Sequence, residues 1–326
     1  AGAVANSVYG ATDEAYIADI YYAASAQIVA KAAAVLGLEE TRQNYQAIAD
    51  RQWQVVKEEY FTATGRCAVK TQTGLVLALK YHLSDNERLT EQMLRKLLRD
   101  NKNKLNTGFV GTPLLCNVLT EHGMTDLAYR LLLNEEYPGW LHEVKLGATT
   151  VWERWNSLDE NGRISSTGMN SLNHYSYGAV LEWIFRHVAG IDVTEQGPGG
   201  KMMRISPKVD HKLGSASAVY DSASGCYRCG WQIENGDQIT VTITVPFGAK
   251  AQVILPYAPD SVYHDTDNPL FETVENGICC VKAGQYTVTY KAASPLKKSY
   301  SVDSTLEDLL AEPAIRAFLS NMMEVD

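Results

Sequence analysis

The stretch Gln196-Gly-Pro-Gly-Gly200 divides the chain into two kinds of sequence, and the fold is read from what lies on either side of it. Glycine and proline at this density end a helix or strand and mark a turn or linker. Upstream, from residue 12 to about 190, apolar residues recur at helical spacing with short polar connections. Downstream the period is two. Tyr227 to Gln232, Gln238 to Pro246, Ala251 to Leu255 and Gln285 to Lys291 read as strands, with Asn235-Gly236 and Asn276-Gly277 as hairpin turns.

The helices can be placed one by one. Thr12 as N-cap with Asp13 and Glu14 in the first turn opens a long helix, and Ile17, Ile20, Tyr21, Ala24, Ile28 and Val35 form its apolar stripe up to Gly37. Others are expected at Thr41–Tyr60, Thr71–His82, Asn86–Lys102, Gly111–Glu121, Thr125–Leu133 with Thr125 as N-cap, and Met169–Val188. Tyr137 to Gly168 is long, aromatic and aperiodic, which in a compact helical domain marks a functional loop. The tail returns to helix: Ser304-Thr-Leu-Glu307 fits a capping box, and Pro313 starts a last helix through Phe318. The expected organisation is a helical domain over residues 1–195, an antiparallel β-sandwich over 196–295 and a helical tail over 296–326.

Composition bounds the partners. The chain has 326 residues, 38 acidic and 29 basic side chains and a net charge of −9, so no overall basic face is available for nucleic acid. No uninterrupted apolar run reaches the roughly 18 residues that span a bilayer. Six thinly spread cysteines point to free thiols in a reducing cytosol; any secretion signal would precede Ala1, so a secreted parent stays open. Cys226 and Cys229 form a C-x-x-C, but the adjacent pair Cys279-Cys280 has poor spacing for tetrahedral metal chelation, so no metal and no cofactor are expected.

The densest chemical cluster is Gly147-Ala-Thr-Thr-Val-Trp-Glu-Arg-Trp-Asn156, where Glu153 sits between Trp152 and Trp155. Indoles desolvate a carboxyl group and stack on the apolar faces of sugars, and both properties suit carbohydrate hydrolysis. The competing reading has the indoles filling core while Glu153 pairs with a cation. A second cluster, Asn170, Asn173, His174 and Tyr175, offers directional donors and acceptors for sugar hydroxyls, or caps the helix it precedes. Thr107-Gly-Phe-Val-Gly-Thr-Pro113 lacks the lysine of a phosphate loop and reads as a tight turn. No serine-hydrolase, zincin or dinucleotide-binding motif is present.

Gly147–Trp155 together with Gly168-Met-Asn-Ser-Leu-Asn-His-Tyr-Ser-Tyr-Gly-Ala179 and Glu182-Trp183 closely resembles the bacterial α-L-rhamnosidase family of glycoside hydrolases. Supporting matches are Thr71-Gln-Thr73, Thr107–Leu115, Asp126–Leu132, Tyr137-Pro-Gly-Trp140 and Val188-Ala-Gly-Ile191, with Ile205-Ser-Pro207 where the family's β-domain begins. The resemblance implies an (α/α)6 barrel with sugar bound in its mouth and inverting hydrolysis of terminal α-L-rhamnose. It makes Glu153 the general base and His174 a rhamnose contact, with Trp152, Trp155, Asn173 and Tyr175 as further substrate-binding residues. Inversion requires a separate acid, with carboxyls roughly 6.5 to 9.5 Å apart. In the family the acid lies in an upstream acidic and aromatic segment that has no counterpart here, and fewer helices are legible than a full barrel holds. The expectation is therefore a partial barrel lacking the acid, with low activity alone, pairing with a second copy or with the missing half. Asn156 stands where the family more often has Asp. The alternatives are a sugar-binding fragment without catalysis, or another (α/α)6 glycosidase that recruits Asp159 or Glu143 as acid.

Overall fold

A computed structural model describes residues 11–159, 161–165, 169–265, 267–296, 306–310 and 313–323. The chain divides into two compact units, Ala1–Val188 and Ala189–Asp326.

The first unit is built from helical hairpins: α1 (Glu14–Val35), α2 (Glu39–Tyr60), α3 (Gln72–Lys80), α4 (Glu87–Asp100), α5 (Thr112–Glu121), α6 (Thr125–Leu132), α7 (Trp140–Lys145) and α8 (Val180–Trp183). Caps set several starts. Asp13, not Thr12, accepts the Tyr16 N–H at α1, Thr71 accepts the Gly74 N–H at α3, and Asn86 accepts the Leu89 N–H at α4. Thr125 is the first residue of α6 and not its N-cap. Burial sorts the helices into two rows. Residues Gln72–Leu79 of α3 are all buried, as is most of α5. By contrast α4 buries only Thr90, Leu94 and Leu98, the single stripe of an outer helix. Helix α3 packs on α1, α4 and α5, and α5 packs on α6 and α8, so α1, α3, α5 and α8 form the inner row.

The stripe expected on α1 is corrected by the packing. Ile20 and Ala24 are buried, but Ile28 and Val35 are 67% and 88% exposed. The seam against α2 runs instead through Ala23, Ala26, Ala30 and Ala33, because small residues let two long helices approach closely. A second correction concerns Met169–Val188, which is not one helix. Residues 169–175 are irregular, Ser176–Ala179 is a 3-10 turn, α8 is short, and Ile184–Val188 is a π-turn. The aperiodic loop, conversely, contains the short helix α7.

The second unit holds two sheets. One has the order β3 (Ser215–Ser222), β4 (Gly225–Glu234), β5 (Gln238–Val245), β9 (Gly284–Lys291), all antiparallel. The other runs β1 (Ile191–Val193), β2 (Met202–Ile205), β6 (Lys250–Val253), β8 (Ile278–Val281), β7 (Val274–Glu275), and its β2–β6 pair is parallel, a departure from a wholly antiparallel sandwich. Alternate residues of β5, namely Ile239, Val241, Ile243 and Val245, are buried. The Tyr227 hydroxyl of β4 lies 2.7 Å from the Gly200 carbonyl and 3.0 Å from that of Lys250, tying one sheet to the other. Both Asn-Gly pairs have positive φ at both positions, as a type I′ hairpin requires. Tyr227 and Trp231 are buried, and the C-x-x-C spacing on β4 leaves Cys229 buried and Cys226 half-buried. In the tail, helices Leu306–Leu310 (α9) and Pro313–Met323 (α10) are present, while Ser304 of the expected capping box lies outside the described residues.

Candidate active site

The segments that lead into the inner helices meet at one end of the helical unit, and the site is built from them. Thr12, before α1, shares a 2.8 Å hydrogen bond with Thr71, before α3. Gln72 donates to the Lys104 carbonyl at 2.9 Å and accepts the Asn106 N–H at 2.8 Å, anchoring the segment before α5. Gly111 closes that turn: a Cβ there would lie 2.3 Å from Thr73 Oγ1. The Thr107–Pro113 motif is thus a tight turn, and what it contributes is Phe109. Among the described residues no group of three potential metal ligands converges.

The Trp-Glu-Arg-Trp and Asn-His-Tyr segments are zipped together. The Glu153 N–H donates to the Ser171 carbonyl at 2.9 Å, and the His174 N–H donates to the Val151 carbonyl at 2.7 Å. Thr150 Oγ1 donates to the Leu172 carbonyl. Asn170 Nδ2 donates to the Ser157 carbonyl at 2.9 Å, while Ser157 Oγ donates to Asn170 Oδ1 at 2.6 Å. These bonds replace the i→i−4 ladder expected after Met169, since short polar side chains offer the backbone competing partners. Gly178 admits the approach, for its Cβ would stand 3.2 Å from Val151 Cγ2.

Glu153 is half-buried, and its Oε2 accepts the Ser171 N–H at 2.8 Å. Trp152 and Trp155 are each only 3% exposed. Trp155 stacks on Tyr177 with ring centroids 4.0 Å apart and a 5° interplanar angle, meets Trp140 edge-on at 5.4 Å, and donates from Nε1 to the Thr107 carbonyl at 3.3 Å. Trp140 Nε1 donates to the Tyr177 carbonyl at 2.9 Å. His174 is half-buried, with its ring between Phe109, stacked at 4.9 Å, and Tyr175, stacked at 5.2 Å. The Ser176 N–H donates to His174 Nδ1 at 3.3 Å, which orients the ring and leaves Nε2 at its far edge. Tyr175 is 84% exposed and Asn173 is exposed.

The two other carboxyls weighed from sequence are placed differently. Asp159 is exposed, and its Oδ1 accepts the N–H groups of Asn161 and Arg163 within its own turn. Glu143, on α7, is buried beside the Trp152 backbone, and burial pushes its carboxyl from the ordinary 4.5 up to about 8. The site therefore joins Glu153, His174, Asn173 and Tyr175 in one zipped pair of segments, with Trp152 and Trp155 behind them. Sequence reading missed Phe109 and Tyr177 as supports. Both lie inside the quoted motifs, but nothing in their spacing says which rings they touch.

Residues 3–188 match the bacterial alpha-L-rhamnosidase 6 hairpin glycosidase domain, and residues 190–268 match the bacterial alpha-L-rhamnosidase C-terminal domain. An alpha-L-rhamnosidase of Formosa agariphila is 36% identical over 270 residues, 82% of this chain and 29% of that protein. The structure of the Streptomyces avermitilis alpha-L-rhamnosidase complexed with L-rhamnose superposes with a TM-score of 0.78 at 31% identity, covering 87% of this chain and 28% of the other. The Aspergillus terreus enzyme gives a TM-score of 0.76 at 27% identity, covering 88% and 31%. The chain thus spans less than a third of the length of these relatives.

Proposed function

The chain belongs to the bacterial α-L-rhamnosidase family, and we propose that it supplies the general-base side of a site that hydrolyses terminal α-L-rhamnosyl residues with inversion. The observation that carries this is the zipper: it seats the Glu153 carboxylate on the Ser171 N–H and brings His174 in from the same segment. Glu153 takes the proton of the attacking water. His174 Nε2, Asn173 and Tyr175 bind the sugar hydroxyls, and Trp152 and Trp155 close the back of the site to water. The acid belongs to the part of a full-length relative that this chain does not span.

The test is calorimetric titration with L-rhamnose beside hydrolysis of p-nitrophenyl α-L-rhamnopyranoside by the chain as it stands. Binding is expected, with His174→Ala weakening it about tenfold, the value of roughly one hydrogen bond to a charged or polar group. Hydrolysis is expected to be absent. Turnover by the chain alone would place the acid within it and overturn the half-site, while no rhamnose binding at all would overturn the assignment of the pocket.

The same reading extends to partners and compartment. Tyr21, Ile28 and Val35 are exposed at seven-residue spacing on α1, with Leu36 just after it, an apolar face of the kind that pairs in solution. Light scattering is expected to give a mass that rises from one copy towards two with concentration; a constant monomer mass would overturn the pairing. Among the described residues no helix is long and apolar enough to cross a membrane, and all six cysteines are free, which favours a reducing compartment.

A further inference from the structure

Within its own segment the His174 ring is tied by the Ser176 N–H, which donates to Nδ1 at 3.3 Å. That bond is long, and the torsion that turns an imidazole about its Cβ–Cγ bond is soft. The bond therefore selects which ring edge faces Ser176 without fixing the ring plane. Two nearly parallel rings supply the plane, Phe109 at 4.9 Å and 16° and Tyr175 at 5.2 Å and 14°. The two are not equivalent. Tyr175 is the next residue in the chain and is 84% exposed, so it travels with the segment it would steady. Phe109 comes from the turn before α5, far away in sequence, and that turn is braced on both sides of the ring. The Gly108 carbonyl accepts the Thr112 N–H at 3.0 Å and the Thr112 hydroxyl at 2.8 Å, and the Thr112 hydroxyl takes the proton of the Thr107 hydroxyl at 2.8 Å. Trp155 Nε1 holds the Thr107 carbonyl, and the Phe109 ring meets Tyr177 edge-on at 5.7 Å. Phe109 is thus a half-buried, fixed plane against which His174 lies.

We propose that Phe109 is a positioning residue for the sugar contact: its ring face sets the plane of the His174 imidazole and so the direction in which Nε2 points. This rests on His174 binding rhamnose. With Nδ1 accepting from Ser176, the neutral ring carries its proton on Nε2, so what Phe109 aims is a hydrogen-bond donor towards a sugar oxygen. A hydrogen bond weakens steeply as its angle closes, so tilting the plane costs affinity even when the imidazole stays where it is. The requirement is for a flat partner. A leucine fills much of the same volume but has no face for the imidazole to lie on.

The experiment uses the full chain, calorimetric titration with L-rhamnose, and the imidazole NMR signals of the seven histidines, with His174 identified by its loss in His174→Ala. In the wild type the carbon-bound ring protons of His174 are expected upfield of those of exposed histidines, because protons over an aromatic face are shielded. A long-range proton–nitrogen correlation is expected to show one tautomer, protonated on Nε2. In Phe109→Leu the upfield shift should shrink and the two nitrogens should move towards the average of both tautomers. Affinity for L-rhamnose should fall about fivefold, close to one net hydrogen bond. Phe109→Tyr keeps the ring face and should restore all three readings.

A double-variant cycle separates positioning from a general loosening of the site. Acting through His174, Phe109→Leu should add nothing once the imidazole is gone, so Phe109→Leu with His174→Ala should bind no more weakly than His174→Ala alone. Independent effects, the tenfold of one and the fivefold of the other, would multiply to about fiftyfold and overturn the proposal. A tyrosine variant that behaves like the leucine variant would overturn it too. Unchanged His174 signals in Phe109→Leu, beside intact rhamnose binding by the wild type, would overturn the positioning alone. Absence of rhamnose binding by the wild type would overturn the sugar reading and the positioning with it.

Discussion

Glu153→Gln, in a chain extended to the length of the relatives, is expected to lower kcat for p-nitrophenyl α-L-rhamnopyranoside by 10² to 10⁴-fold, the ordinary range for losing a positioned general base. The geometry makes this a clean substitution. One carboxylate oxygen is occupied by the Ser171 N–H at 2.8 Å, so only the other is available to take a proton from water. A glutamine keeps an acceptor for Ser171 and nearly the same shape, and it loses only basicity. KM and the affinity for L-rhamnose should therefore stay within about threefold, since an interaction made only in the transition state lowers kcat and kcat/KM together. Steady-state kinetics beside a rhamnose titration checks both halves. Turnover within tenfold of the wild type would remove Glu153 from the role of base, and a parallel collapse of rhamnose binding would make it a sugar ligand instead.

Trp155→Ala is expected to destabilise the helical unit by about 3–5 kcal/mol, the range for truncating a large buried aromatic. Trp155 is shut off from solvent, lies flat on Tyr177, meets Trp140 edge-on and satisfies the Thr107 carbonyl through Nε1. Truncation removes the packing, the stacking worth roughly 0.5–1.5 kcal/mol and the hydrogen bond at once. Trp155→Phe keeps a ring on Tyr177 and should cost about half as much. Urea unfolding followed by circular dichroism measures both. The substitution also reaches the proposed sugar contact His174, because Tyr177 meets Phe109 edge-on at 5.7 Å and Phe109 stacks on His174. A loss below about 1 kcal/mol with rhamnose binding abolished would instead make Trp155 a surface platform for the sugar.

The helix starts at Thr71 and Asn86, the hairpin turns and the change of pattern near Gly190 are legible from residues alone, because each is a local device. Asn86 and Thr71 cap the helices that follow them within one turn, and an Asn-Gly pair needs only its own backbone freedom to reverse a strand. Motif carries further than periodicity: it points to two segments, those of Glu153 and His174, that the fold hydrogen-bonds to each other. Those are the parts of the protein that neighbouring residues decide among themselves.

Other features depended on partners distant in sequence. The run after Met169 has a helical pattern, yet residues 151–153 compete for its backbone groups and Ser157 for the Asn170 side chain, so the helix starts only at Val180. Ile28 and Val35 fit an apolar stripe, but the rotation of α1 is decided by how closely its alanines let α2 approach, which leaves both outside. The parallel β2–β6 pair joins residues nearly fifty apart, beyond what alternation within one strand can express. Trp152 and Trp155 offered the same indoles to a sugar or to a core. Both are buried, and Tyr177, Trp140 and Thr107, far away in sequence, cover Trp155 because burying that apolar area outweighs leaving it exposed.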